Sequence, residues 1–270
     1  MRVSVVIPAY NEAGNIARLV AEVGTVVPAA LLGEIIVVDD ASDDASLAEL
    51  RALGEPRLRI LCHGRRAGQS AALRSGIRAA ACPVIVTLDG DGQNDPADIP
   101  ALLRRLGSLD GGAPALVGGI RQNRRAAGSR RFASRFANGL RGSLLKDECP
   151  DTGCGIKAFR RAAFLELPYF ATMHRYLPAL FLSYGHKVAY VPVNDRPRLA
   201  GRSKYTNLGR ALVGLHDLFG VVWLRRRTVL PPVSEDSGAA LVRLTPSRLA
   251  EPASEAPLAH ETGLAASAAS

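Results

Sequence analysis

Four short runs in the first third of the chain, Val3–Pro8, Glu34–Asp39, Leu58–Cys62 and Val84–Asp89, are almost entirely apolar. A strand with one face in water alternates apolar and polar residues, so unbroken apolar runs of this length belong to strands covered on both faces. Between them lie helical stretches. From about Asn15 to Val26, Ile16, Leu19, Val20 and Val23 share one helical face, and from Ser70 to Ala80 so do Ala72, Leu73, Gly76 and Ile77. This alternation predicts an α/β fold with a mostly parallel central sheet flanked by helices. Ligands of such sheets bind beyond the carboxyl ends of the strands, which makes the polar residues after each run the first candidates for chemistry.

From Ala115 onward the order changes. A strand-like Leu116–Gly118 leads into a basic helical stretch ending at Lys146, then a turn at Asp151–Gly155 and an alternating strand Lys187–Val193, which together predict a mixed sheet. Asn207–Arg227 reads as an amphipathic helix carrying Leu208, Leu212, Leu215, Phe219, Val222 and Trp223 and ending in three arginines. Residues 232–270 are rich in Ala, Ser, Pro and Glu, with two arginines against five acids, and are expected to be a disordered tail. The expected organisation is a catalytic domain over 1–206, an amphipathic interfacial helix over 207–231 and the tail.

The formal charge of +9 favours an anionic partner. The four cysteines form no CxxC pair, so neither a zinc site nor a disulfide framework is suggested, and a reducing cytoplasm fits. The sequence enters its first strand with only Arg2 ahead of it and no separate apolar region or small-residue cleavage site, so secretion is not expected. The longest apolar window, Ala211–Leu224, is interrupted by His216 and Asp217 and is too short to span a bilayer.

The fourth run stops at Asp89-Gly-Asp91-Gly-Gln93. Two carboxylates one residue apart repel unless a cation lies between them, and hard oxygen donors at such a turn suit Mg²⁺ or Mn²⁺ bridging phosphate oxygens. Taken alone, this is equally the chemistry of a solvated Asp-Gly turn. The second run, however, ends in Asp39-Asp40-Ala-Ser-Asp43 and the first in Pro8-Ala-Tyr10-Asn-Glu12, so three successive strand ends carry acids at one rim. Repulsion makes that arrangement poor for stability, and a site reading a base, a ribose and a metal-bound diphosphate accounts for it.

The stretches VVIPAYNE (Val5–Glu12), VVDDASDD (Val37–Asp44), LDGDGQNDP (Leu88–Pro96), DTGCGIKAFRR (Asp151–Arg161) and GRSKY (Gly201–Tyr205) resemble family 2 glycosyltransferases of the GT-A fold. Within them the likeness is to the dolichol-phosphate-mannose-synthase-like polyprenyl-phosphate glycosyltransferases, and it covers residues 1 to about 227. The resemblance implies inverting transfer of mannose or another hexose from a nucleotide sugar, GDP-mannose or a UDP-sugar, to a polyprenyl phosphate at the cytoplasmic membrane face. Pro8, Tyr10, Glu12, Asp39 and Asp40 would line the nucleotide pocket, Asp89 and Asp91 would bracket sugar and metal, and Gln93 would complete the metal site. Arg121 and Arg202, with Lys204 as a third cation, would neutralise the diphosphate leaving group, for which a guanidinium fork suits well.

Arg121 to Lys146 contains seven arginines and one lysine with no acid. By the same resemblance Arg130 and Ser134, one helical turn apart, would bind the acceptor phosphate, with Arg131 and Arg135 near enough to share it. Basic side chains there also suit anionic lipid headgroups. Relatives that use a sugar hydroxyl carry a Glu-Asp base after the DxD region, where this chain reads Met173-His174-Arg175-Tyr176-Leu177-Pro178. An already ionised phosphate acceptor fits that absence, and His174 is left between a supporting and a packing role. Relatives also continue into spanning helices, for which Asn207–Arg227, lying in the interface, is the expected substitute.

A nucleic-acid module is disfavoured by 5% aromatic residues with no interleaved basic stripe. A dehydrogenase lacks its GxGxxG, since Ala9-Tyr-Asn-Glu-Ala-Gly14 follows the first strand. A sugar nucleotidyltransferase lacks its Gly/Arg/Lys-rich loop. The rival that remains is a family 2 transferase acting on a soluble or polysaccharide acceptor.

Overall fold

The structure, a computed structural model, describes residues 2–107, 112–122, 141–142, 144–197, 207–231, 233–236 and 241–244, with the backbone alone described at 207–213 and beyond 232. Two compact units are present, 1–232 and 233–270.

The first unit is built on a seven-stranded sheet. Its strands are β1 (Val3–Ala9), β2 (Leu32–Asp39), β3 (Leu58–Cys62), β4 (Val84–Thr87), β5 (Leu116–Arg121), β6 (Lys157–Arg160) and β7 (Val188–Val193). Their spatial order is β3-β2-β1-β4-β6-β5-β7. β1 runs parallel to β2 and β4, β2 to β3, and β5 to β7, while β6 is antiparallel to both neighbours. The mixed sheet expected after residue 115 is therefore one reversed strand in an otherwise parallel sheet. All seven residues of β1 are buried, as a strand covered on both faces requires.

One face is covered by α1 (Ile16–Val26), α2 (Ser46–Ala52) and α4 (Ile99–Gly107), the other by α3 (Gln69–Ala79), α5 (Arg161–Leu165), α6 (Leu177–Ser183) and α7 (Asn207–Arg227). The four residues read as the apolar stripe of α1 are its four buried residues, and each contributes about 1.5–3 kcal/mol by leaving water. α3 lies so close to the sheet that a Cβ on Gly76 would stand 2.5 Å from Val6. α7 is bound into this unit: Leu218 and Val221 join the core, Tyr176 donates to the Gly214 carbonyl (3.0 Å), Thr172 to Asp217 (2.6 Å), and Arg225 to Ser183 Oγ (2.8 Å). Residue 206 thus does not end the compact body.

The second unit contains β8 (Val233–Asp236) paired antiparallel with β9 (Leu241–Leu244), so eight residues of the expected disordered tail are in regular structure. Among the described residues no helix is long and apolar enough to cross a membrane.

Candidate active site

The carboxyl ends of β1, β2 and β4, together with the start of β6, border a cleft of about 700 Å³. The turn after β4 is held from several directions. Asp89 N–H donates to Asn94 Oδ1 (2.9 Å) and Gln93 N–H to Asp91 Oδ1 (3.1 Å). Asn94 bridges to Asp195 and Arg196 N–H donates to the Gln93 carbonyl (3.0 Å), which ties the chain after β7 to this turn. Arg196 in turn binds Glu22 (2.7 Å) and the Asp95 that caps the following helical turn (2.6 Å).

Asp89 lies against Gly155. A Cβ at 155 would stand 2.6 Å from Asp89 Oδ1 and closer still to Oδ2, so only glycine leaves room for the carboxylate. Gln69 Nε2 donates to Asp89 Oδ1 (2.8 Å), and Thr87 Oγ1 donates to the Gly155 carbonyl (2.8 Å), fixing both sides of that contact. Burial and the like charge of Asp91 push the Asp89 carboxyl up to about 6, opposed by Lys157, Gln69 and Arg121. Repulsion of this kind is what a cation between the two carboxylates removes. Among the described residues no three acid, histidine or cysteine side chains converge as a metal cage. The fit is to a cation such as Mg²⁺, which takes one or two carboxylates and completes its shell with phosphate oxygens and water.

Of the expected nucleotide and metal residues, Pro8, Tyr10, Glu12, Asp40, Asp89, Asp91 and Gln93 line the cleft. The guanidinium of Arg66 stands 4.1 Å over the Tyr10 ring, occupying one of its faces. Glu12 Oε2 accepts from Asn15 at the start of α1 (3.1 Å). Asp39 is buried at the end of β2; Oδ2 accepts from Ser42 N–H (3.2 Å), whereas Oδ1 is buried with no partner among the described residues. Asp40 borders the cleft and also ties down a neighbouring loop. Its Oδ1 accepts from Ala67 N–H (2.8 Å) and faces His63 Nδ1 (2.7 Å), while Oδ2 accepts from Gly68 N–H (2.7 Å). Both oxygens are engaged in holding the loop that presents Arg66.

Arg121 reaches the cleft from the end of β5, but in a bidentate pair with Asp151 (2.7 and 2.8 Å), which raises its pKa further. Arg141 is likewise paired with the buried Asp147 (3.1 and 2.5 Å). Two cations of the basic stretch thus find carboxylates inside the fold, contributed by residues just beyond the stretch. Arg130, Arg131, Ser134 and Arg135, and also Arg202 and Lys204, lie outside the described residues.

His174 borders the cleft with Nδ1 2.7 Å from Ser70 Oγ, and its own N–H donates to that oxygen (3.3 Å). Burial, with the charges of Arg175 and Lys157, pushes its pKa down to about 3, so the ring is neutral and no proton donor at neutral pH. Residues not singled out from sequence also border the cleft: Arg66, Gln69, Lys157 and Asp195, the last with a buried Oδ1 lacking a partner among the described residues. Lys157 had a signal, a charge inside the apolar run Ile156–Phe159; the others carry none.

The glycosyl transferase family 2 pattern matches residues 4–167. Dodecaprenyl-phosphate galacturonate synthase of Rhizobium johnstonii is 32% identical over 241 residues, covering 86% of this chain and 69% of that protein. Undecaprenyl-phosphate 4-deoxy-4-formamido-L-arabinose transferase of an Enterobacter species is 36% identical over 211 residues, 76% of this chain and 63% of that protein. The chain therefore spans about two thirds of the length of these relatives. Among solved structures, glucosyl-3-phosphoglycerate synthase of Mycobacterium tuberculosis with Mn²⁺, UDP and phosphoglyceric acid aligns with a TM-score of 0.65 over 90% of this chain and 86% of that one. The same enzyme with Mg²⁺ and UDP aligns at 0.64. At 20% identity this likeness is one of fold, the GT-A fold. With a family match over most of the sheet and relatives above 30% identity, the chain belongs to glycosyl transferase family 2.

Proposed function

We propose that the protein moves a sugar from a nucleotide-sugar donor to a polyprenyl phosphate, with inversion at the anomeric carbon and with a divalent cation at Asp89 and Asp91. The observation that carries this reading is the Asp89–Asp91 pair set in a cleft that Tyr10, Glu12, Asp40 and Arg121 also line. The relatives' names, a dodecaprenyl-phosphate galacturonate synthase and an undecaprenyl-phosphate sugar transferase, support the acceptor class, and the UDP and metal bound by the fold neighbours support the donor class.

In this reading Pro8 and Tyr10 frame the nucleotide, and the unpartnered Asp39 Oδ1 accepts from base or ribose. Asp89, Asp91 and Gln93 would hold Mg²⁺ or Mn²⁺, which when bound neutralises charge on the diphosphate. Arg121, and Arg202 with Lys204, stabilise that leaving group. Arg202 is six residues beyond Arg196, so it can reach about 20 Å from a point already tied to Gln93. Arg130, Arg131 and Ser134 hold the acceptor phosphate. A phosphate monoester is ionised near neutral pH, its second pKa being about 6. Its oxygen attacks the anomeric carbon as the bond to the diphosphate oxygen breaks, and no base is required. A neutral His174 is compatible with that. Catalysis then rests on positioning and charge stabilisation.

Access to the lipid is assigned to α7 at the cytoplasmic membrane face. Opposite its buried Leu218 and Val221, Leu215, Phe219 and Trp223 form a stripe at four-residue spacing, with Phe219 59% and Trp223 61% exposed, followed by Arg225–Arg227. Large apolar side chains beside arginines suit an anionic headgroup boundary. The decisive assay incubates the protein with Mg²⁺ or Mn²⁺, polyprenyl phosphate and a panel of labelled GDP- and UDP-sugars, and follows label into the organic phase. No transfer from any donor refutes the acceptor assignment. Flotation with anionic liposomes tests α7: recovery that is the same for wild type and a Phe219→Ser/Trp223→Ser variant refutes it.

A further inference from the structure

Lys157 opens β6, paired opposite Thr87 of β4 and Gly118 of β5. Because β6 runs against both strands, its first residue stands at the rim where β4 ends, the rim that carries Asp89. The residue is 7% exposed and borders the cleft. Its ammonium donates to the Cys154 carbonyl and, among the described residues, makes no salt bridge. Two arginines differ in this respect, since the half-buried Arg121 has Asp151 and the buried Arg141 has Asp147. The charge of Lys157 is felt by Asp89 on one side and by the neutral ring of His174 on the other.

An ammonium has three donors, and this one uses a single donor on a neutral carbonyl. Burying a cation without a carboxylate in contact is costly, and folds keep buried charges where they are paired or used. Here the wall of the cleft is where an anion arrives. We infer that Lys157 contacts a phosphate oxygen of a bound substrate, as a substrate-binding residue of the transfer site additional to the arginines. The inference rests on the proposed transfer reaction, in which donor and acceptor both bring phosphate to this cleft. The shared chemistry is a phosphate oxygen meeting a point charge, and the assay separates the two sources.

The test compares wild type with Lys157→Met, which keeps the alkyl stem, in the full chain with Mg²⁺. UDP and GDP binding is measured by calorimetry, and initial rates are followed against polyprenyl phosphate concentration. Loss of one charge-assisted hydrogen bond predicts affinity weakened about ten- to a hundredfold for one phosphate. Weaker nucleoside diphosphate binding places Lys157 on the donor, and a raised KM for polyprenyl phosphate with unchanged nucleotide affinity places it on the acceptor. The melting temperature of the ligand-free variant is expected to be unchanged or higher, because an unmatched buried charge has gone. A variant that binds both phosphates as wild type does overturns the proposal, whatever its melting temperature. Lys157→Gln, which keeps a donor for Cys154, carries the same comparison if the methionine variant does not fold. A wild type that binds UDP or GDP yet transfers nothing refutes the reaction, and the calorimetry still judges Lys157.

Discussion

Gly155→Ala is the substitution that reports most directly on the carboxylate pair. The added methyl group would lie 2.6 Å from Asp89 Oδ1 and nearer to Oδ2, where ordinary contact begins at 3.4 Å. One side has to move by roughly 1 Å. The glycine is pinned, since Thr87 Oγ1 donates to its carbonyl (2.8 Å) from the adjacent strand. Asp89 is therefore the group that yields, swinging away from Gly155 and losing the Gln69 hydrogen bond. Gly155 is absent from the glycines of positive φ, so alanine meets no backbone penalty and stability should change little. A displacement of about 1 Å at a positioning group is worth about a hundredfold in rate. The expected result is kcat/KM lower by about that factor, a higher metal concentration needed for half-maximal rate, and a melting temperature within a few degrees of wild type. Wild-type metal dependence and turnover in Gly155→Ala would refute the reasoning that this contact sets the Asp89 carboxylate.

Asp89→Asn should raise metal-free stability at neutral pH by about 1–3 kcal/mol while abolishing transfer, measured by urea unfolding with EDTA. The sign follows from a folded-state pKa of about 6 against 3.8: the stability contribution of Asp89 is fully present below 3.8 and lost as pH rises through 6. His174 has the opposite slope. Its folded pKa of about 3 lies below 6.5, so its contribution is present above 6.5 and lost as pH falls. The melting temperature of His174→Gln should consequently fall less steeply than that of wild type between pH 6.5 and 4. Asp147→Ala leaves the Arg141 guanidinium buried without its carboxylate and should cost about 3–5 kcal/mol in thermal or urea unfolding. Asp91→Asn should remove transfer with the circular dichroism spectrum unchanged.

Much of the architecture was legible in the amino-acid order. Apolar runs bounded by turns located four strands to within about two residues, and the stripes of α1 and α3 matched the faces those helices bury. Such features depend on neighbours three or four residues apart, which periodicity expresses directly. The pairing of β8 with β9 was missed because Ala, Ser, Pro and Glu dominate the sequence around them and hide two four-residue strands.

The acids at three strand ends marked the site's rim, and that too needs only the order of residues along the chain. Which charges are matched does not. Arg121 meets Asp151 thirty residues away, and Arg141 meets Asp147. Asp40 closes on a loop more than twenty residues further along and so holds Arg66 over Tyr10. Lys157 is brought beside Asp89 only because β6 inserts in reverse between β4 and β5. The local pattern alone determined the first four strands, the buried stripes of α1 and α3 and the acidic rim. Strand order and long-range pairing in the folded chain decided which of its charges hold the structure and which face the cleft, because a side chain's charge state and freedom depend on what the fold places within a few ångströms of it.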